Sequence, residues 1–371
     1  MIKTSESVLK GHPDKICDGI ADYILTKLIK EDENTRAGIE CLIKDELLVI
    51  AGEISTLANI DYKETAKEYL ELIGLDSNEF NILEKISIQS SDIALGVDKG
   101  GAGDQGIMYG YAEKGTDELM PLPIVLTRVL AKKLDELNNE YSHLFGRDGK
   151  CQISIEYENE IPKEIKTVVV SLQTKPGITR DEYEPLIFLR VHQVLPTNLV
   201  TKKTRVLINP TGEFVKGGSY ADSGLTGRKL QCDSYGGLAL HGGGAWSGKD
   251  LTKVDRSASY YARYIAKNIV AANLSDKCEI GIAYAIGIEE PVGISINTFG
   301  TSKIDEEKLL KVINNVFDFK PKSITKEIGT KDFVELAQYG QVGVLINELP
   351  WERLDKADTL KEQTNDYQRV L

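Results

Sequence analysis

One succession of apolar periodicities occurs three times along this chain, and that repetition restricts the fold more than any single motif. Ile16, Ile20, Ile24 and Leu28, with Cys17, Ala21 and Leu25 beside them, make one apolar helical face. Two extended runs follow, AGIECLI and LLVIAGEIS, joined by the polar turn Lys44-Asp45-Glu46, and then a helical stretch, YKETAKEYLELIGL. A second copy opens at Pro121-Leu122-Pro123, where proline suits a first helical turn, and runs through Val125, Val129, Leu130, Leu134 and Leu137. Its hairpin places Ile153 and Ile155 on one strand and Ile165, Thr167 and Val169 on the other, before the helix DEYEPLIFLRVHQVL. The third copy has a helix with Val254, Ala258, Ala262, Ile265 and Ile269. A hairpin with Ile280, Ile282, Val292, Ile294 and Ile296 comes next, then the helix EEKLLKVINNVF.

Strands that alternate apolar with polar bury one side and turn the other to solvent or a partner, so each copy reads as a sheet backed by helices. The expected fold is therefore α+β, with three structurally similar α+β domains about a pseudo-threefold axis; 371 residues also exceed what one ordinary core encloses. Parallel doubly wound sheets are disfavoured. The expected division is an N-terminal domain over 1–98, a glycine-rich mobile active-site loop over 99–111, a central domain over 112–226 and a C-terminal domain over 227–371.

A formal net charge of −12 argues against a nucleic-acid partner, so any anionic substrate must be drawn in by a local group of cations. Cys17, Cys41, Cys151, Cys232 and Cys278 show no C-x-x-C spacing and read as reduced thiols. No apolar run approaches a membrane span, and the N-terminal stretch has no apolar core that would serve as a signal; a cytoplasmic protein is expected.

The glycine-rich stretches carry the chemistry. Gly243 to Lys249 spells G-x-x-x-x-G-K, but Asp250 stands where a P-loop needs Ser or Thr, and no aliphatic strand ending in Asp accompanies it. What survives is a cradle for an anion: glycines that admit backbone N–H groups, Lys249 and Lys253, and a helix start near Lys253 with Asp255 in its first turn. The first helix opens alike, with Gly11-His12-Pro13-Asp14-Lys15. Lysines on phosphate oxygens and carboxylates on a bridging Mg²⁺ make polyphosphate the natural ligand. Asn209 to Lys229 adds Arg228, Lys229 and a flat surface at Phe214, and Gly100 to Gly106 reads as a mobile lid bearing Asp104 and Gln105. Each feature also has a plain reading: a capped helix, a core phenylalanine, an interdomain linker.

GHPDKICD, GAGDQG, INPTG, GLTGRK and GGGAWSGKDLTKVDRSASYYARYIAKNIVAA follow one another as in the S-adenosylmethionine synthases, the methionine adenosyltransferases, which the chain resembles from end to end. The resemblance implies attack of methionine sulfur on C5′ of ATP, cleavage of the released triphosphate to diphosphate and phosphate, two Mg²⁺ per site and one K⁺ per subunit. It implies a homodimer with interface active sites, possibly a dimer of dimers. It implies that His12, Lys15, Lys150, Arg228, Lys229, Lys249 and Lys253 line the triphosphate, with His12, Lys15, Arg228, Lys249 and Lys253 catalytic. Asp14 and Asp255 would hold Mg²⁺ and Glu40 K⁺. Glu53, Gln89, Asp104, Asp222 and Lys253 would surround methionine, with Asp222 also reaching the adenosine, Phe214 stacking on adenine and Ala245 touching the nucleotide.

Glu213 stands where relatives often have arginine, Ser219 and Ala221 replace a proline and a glycine, the stretch between Gln89 and GAGDQG is short, and a histidine expected after Tyr339-Gly340 is missing. With the cations and magnesium ligands retained, an active enzyme with altered kinetics is expected. Two rival readings are a magnesium-dependent tripolyphosphatase or ATPase without transferase activity, and a non-catalytic ATP-sensing subunit.

Overall fold

The computed structural model describes residues 1–88, 100–344 and 349–369. The first copy of the repeat consists of α1 (Pro13–Glu31), β2 (Arg36–Lys44), β3 (Leu47–Ser55) and α2 (Tyr62–Leu72), preceded by β1 (Ile2–Val8) and followed by β4 (Asn81–Ser87). The second consists of α3 (Leu122–Glu140), β6 (Phe145–Glu158), β7 (Ile161–Thr174) and α4 (Arg180–Val194), between β5 (Gly106–Glu113) and β8 (Arg205–Ile208). The third has β9 (Gly224–Leu225), the short α5 (Leu230–Asp233), α6 (Val254–Ala271), β10 (Lys277–Tyr284), β11 (Gly293–Asn297) and α7 (Glu306–Val316). Helices α8 (Pro321–Glu327), α9 (Leu336–Tyr339) and α10 (Ala357–Arg369) complete the described chain.

The strand that precedes each copy leaves it and joins the sheet of the next. β1 pairs with β6, β5 with β10 and β9 with β2, always antiparallel and always with the first strand of the hairpin. The exchange closes a three-membered cycle, the connectivity that a pseudo-threefold arrangement of α+β units requires. The strand after the second helix, β4 or β8, adds parallel to the hairpin's other side, whereas in the third copy helix α8 follows in sequence and the sheet stops at three strands.

Helices α1 and α6 are buried on nearly all sides, and the first and third copies share one core in which Ile16, Ile20, Ile24, Ala258, Ile265 and Ile269 are all inaccessible to solvent or within 1 % of it. The second copy has its own core between α3, α4 and its sheet. Asp22 and Arg256 explain how polar residues of α1 and α6 survive burial: both are fully enclosed and pair through two hydrogen bonds of 2.7 and 2.9 Å.

Three expectations need correction. In β7 the buried residues are Ile165 and then Val168, Val170, Leu172 and Thr174, not Thr167 and Val169. Ser154 pairs with Thr167 but Ile155 pairs with Ile165, so Lys166 is an extra residue, and this bulge turns the rest of the strand over. Val292 lies before β11 and is exposed. Of the loop expected over 99–111, residues 106–111 belong to β5, and buried Ala102 donates to the Ile288 carbonyl at 3.0 Å and accepts from Gly287 N at 2.8 Å.

Candidate active site

The expected site residues fall into two groups at different levels of α1. The first surrounds its N-terminus. His12 is the N-cap, and its Nδ1 accepts the Asp14 N–H at 3.2 Å, which leaves the ring proton on Nε2, available to donate. Burial, followed by the charges of Lys229 and Lys150, brings the imidazole down to about 4, so it is neutral near pH 7. Asp14 is buried. Burial opposes its ionisation, yet the Lys229 ammonium and the Leu225 N–H, at 2.9 Å, hold its carboxyl below the usual range. Arg228 stands 3.6 Å from the same carboxylate and Lys150 enters from β6. Asp222 is exposed and contributes to the field at His12; Phe214 is half-buried, its carbonyl accepting the Thr174 N–H.

The second group lines a cleft of about 380 Å³ between the open face of β2–β3 and the loop before α6. Glu40, Glu53, Asp104, Ala245, Lys249, Lys253 and Asp255 all border it. Lys249 pairs with Asp255 at 2.5 Å and Lys253 with Asp250 at 2.9 Å. Asp104 is exposed and accepts the Gln105 N–H at 2.8 Å. The groups lie roughly 12 Å apart along α1, the rise of the eight residues from Asp14 to Asp22, although Ala245 packs against Gly227 between them. Gln89 lies outside the described residues.

The family scan matches the S-adenosylmethionine synthetase N-terminal domain over residues 1–93, the central domain over 99–214 and the C-terminal domain over 216–353. The chain is 47% identical to the S-adenosylmethionine synthase of Petrotoga mobilis, with 97% of this chain and 98% of that protein aligned. It is 44% identical to those of Clostridium tetani and Finegoldia magna, with 96% and 97% of this chain and 98% of each relative aligned. The chain belongs to the S-adenosylmethionine synthetase family.

The structure bears on two expected features, Lys15 from the family resemblance and the glycine cradle from the residues themselves. Lys15 does not face a cleft: it is 1% exposed, and its Nζ lies between Asp18, at 3.3 Å, and Asp233. Burial alone would lower its pKa, but those two carboxylates raise it to about 12, so in this structure it is a charged internal tie between α1 and Asp233. The amides at the end of the glycine cradle are also engaged within the protein. Gly248 N donates to Asp22 at 2.8 Å, Lys249 N to the Trp246 carbonyl at 3.3 Å and Asp250 N to the Ala37 carbonyl at 3.1 Å. Gly248 is glycine because its φ is +81° and a Cβ there would collide with the Ile39 carbonyl, a matter of close packing.

Sequence reasoning missed Asp148, which accepts the Gly218 N–H at 2.9 Å and so ties Lys150's strand to the turn that carries Asp222. Its signal was Asp-Gly-Lys inside a strand, where glycine is out of place. Gln341, at the position expected to hold histidine, is fully buried. Its amide donates to Ser247 at 2.9 Å, and its Oε1 accepts from Arg256 and Tyr260.

S-adenosylmethionine synthetases use metal ions. Among the described residues no three His, Cys, Asp or Glu side chains gather as a preformed metal cage. Asp14 and Asp255 instead each offer one hard carboxylate beside lysines, which suits Mg²⁺ completed by substrate phosphates and water.

Proposed function

We propose that the chain converts ATP, L-methionine and water to S-adenosylmethionine, diphosphate and phosphate, water cleaving the released triphosphate, at sites that two copies build together. The observation that carries the reaction is 44–47% identity over nearly the whole chain with proteins named S-adenosylmethionine synthase, combined with two groups of cations and carboxylates at different levels of α1. The sulfur lone pair forms a bond to C5′ while the C5′–oxygen bond breaks, and the triphosphate carries that electron pair away. A thioether has no proton to lose, so no general base is required. His12 Nε2–H, Lys150, Arg228 and Lys229 hold one part of the triphosphate, and Lys249 and Lys253 another, as its charge develops. Asp14 and Asp255 would hold two Mg²⁺, which would supply neutralisation of phosphate charge. Glu40, which borders the cleft from β2, would hold one K⁺. Glu53, Gln89, Asp104 and Asp222 receive the methionine ammonium and the sulfonium product, Asp222 also the adenosine; Phe214 stacks on adenine and Ala245 meets the nucleotide.

Neither group of residues neutralises a triphosphate by itself, and the open face of the β2–β3 sheet carries an apolar pair, Leu42 opposite Leu225, each 37% exposed. That face suits a second copy, so a homodimer, possibly paired again as a dimer of dimers, would bring group one of one chain to group two of the other. No nucleic acid takes part. All five cysteines are buried free thiols, in keeping with the cytoplasm; among the described residues no helix is long and apolar enough to cross a membrane.

The test incubates the purified protein with ATP, L-methionine, Mg²⁺ and K⁺ and quantifies adenosylmethionine, diphosphate and phosphate together. Equimolar appearance of all three is expected. Phosphate released without adenosylmethionine, and indifferent to methionine, would contradict the synthase reading and leave a hydrolase.

A further inference from the structure

Helix α1 presents Asp14, Asp18 and Asp22 at successive four-residue steps, which stacks three carboxylates on one helix face. Each accepts a backbone N–H from a glycine-rich loop: Asp14 from Leu225 at 2.9 Å, Asp18 from Gly227 at 2.7 Å and Asp22 from Gly248 at 2.8 Å. The first two loop positions lead directly into Arg228 and Lys229, and the third into Lys249. Glycine is what lets these loops lie so close. A Cβ at Gly224 would collide with the Pro13 backbone and one at Gly227 with Ala245, and Gly227 holds φ +82°.

Asp14 already has a role, and Asp22 is committed to Arg256. Asp18 has neither explanation. It is fully enclosed, and its Oδ1 accepts the N–H of Gly227, the residue immediately before the Arg228-Lys229 pair. Its other oxygen faces Lys15 Nζ at 3.3 Å, and Lys15 is fixed in turn by Asp233. We propose that Asp18 is a positioning residue of the synthase: anchored by Lys15, it grips the Gly227 N–H and sets where Arg228 and Lys229 stand against the His12 end of α1. The proposal rests on the synthase reading and adds a residue to its triphosphate-binding arm.

Removing Asp18 leaves Lys15 paired with Asp233, so the substituted chain keeps a neutralised core. Asparagine preserves an acceptor oxygen at the same reach, whereas alanine does not. Adenosylmethionine formation by wild type, Asp18→Ala and Asp18→Asn is measured with ATP and methionine varied separately, together with inhibition by added tripolyphosphate. Asp18→Ala is expected to raise the ATP KM and the tripolyphosphate inhibition constant about tenfold, the scale of one lost buried hydrogen bond. Its methionine KM stays within about twofold, and Asp18→Asn returns the ATP KM to within about threefold of wild type. An unchanged ATP KM in Asp18→Ala, or equal damage to both substrates in both variants, overturns the proposal. Should Asp18→Ala not fold, Asp18→Asn decides through hydrogen exchange across 224–229 read beside its ATP KM. Both hold at wild-type values or both rise under the proposal, and one changing without the other overturns it. A wild-type chain that formed no adenosylmethionine would instead contradict the synthase reading, so the two failures are distinguishable.

Discussion

The two ends of the site differ in charge and in rigidity. Around the α1 N-terminus, Lys150, Arg228 and Lys229 outnumber Asp14 and Asp222, His12 is neutral, and the central carboxylate is 1% exposed and fixed by several donors. Around the β2–β3 cleft, Lys249 and Lys253 are each tied to an aspartate, Glu40, Glu53 and Asp104 add three more carboxylates, and Asp255 is 23% exposed. The first environment favours an anion, and the second is fit to receive an ammonium and a developing sulfonium. On the proposed function the two ends are complementary, because positive charge develops on sulfur while a polyanion is expelled and Lys249 and Lys253 place two cations within the acidic end.

Breaking the junction of the two ends should have the largest effect. Lys249 is the cation placed at the acidic end, so Lys249→Ala is expected to lower kcat by about a hundredfold or more, as loss of a preorganised charge partner does; steady-state assays at saturating substrates check this. Asp104→Asn separates the two chemistries. Adenosylmethionine formation should fall about tenfold while hydrolysis of added tripolyphosphate stays within about threefold. Equal loss of both would place Asp104 outside the methionine end. Phe214→Ala should raise the ATP KM by roughly two- to tenfold, equivalent to about 0.5–1.5 kcal/mol of lost aromatic stacking, and leave methionine unaffected.

The smallest effect is a protonation change. Because His12 is depressed from 6.5 to about 4, the unfolded chain takes up its proton first as pH falls. Its contribution to stability is therefore fully present above about 6.5 and is lost as pH falls through about 4. An imidazole NMR titration of the ligand-free protein should place the midpoint near the lower value, and bound tripolyphosphate should raise it. A ligand-free midpoint near 6.5 would mean that His12 is neither buried nor crowded by Lys229 and Lys150.

Much of this was legible in the sequence. The three helix–hairpin–helix copies appear where periodicity puts them, because Ile16 to Leu28 and Val254 to Ile269 have strong 3.6-residue patterns. The strand exchange was not legible, since β9 is only two residues long and β1 and β5 do not reveal which sheet they will join. The bulge at Lys166 was hidden for a similar reason, as one inserted residue leaves composition unchanged and reverses a face. In the site, lysines and aspartates were visible but not their direction. Lys15 reads like Lys249 in sequence, and only the fold turns it inward to Asp18 and Asp233. The glycines of Gly242 to Gly248 suggested an anion nest, and at Gly248 the amide is instead claimed by Asp22, more than 200 residues away.

The most direct test of a site shared between two chains mixes two separately impaired variants, Lys229→Ala from the cation-rich end and Lys249→Ala from the acidic end, under conditions that allow subunits to exchange. If each site takes one end from each chain, a mixed dimer contains one site with both substitutions and one with neither. Equal mixing should then restore about a quarter of wild-type adenosylmethionine formation. Activity no higher than the average of the two variants, with mixed dimers demonstrated by mass, would contradict the account and place both ends of the site in one chain.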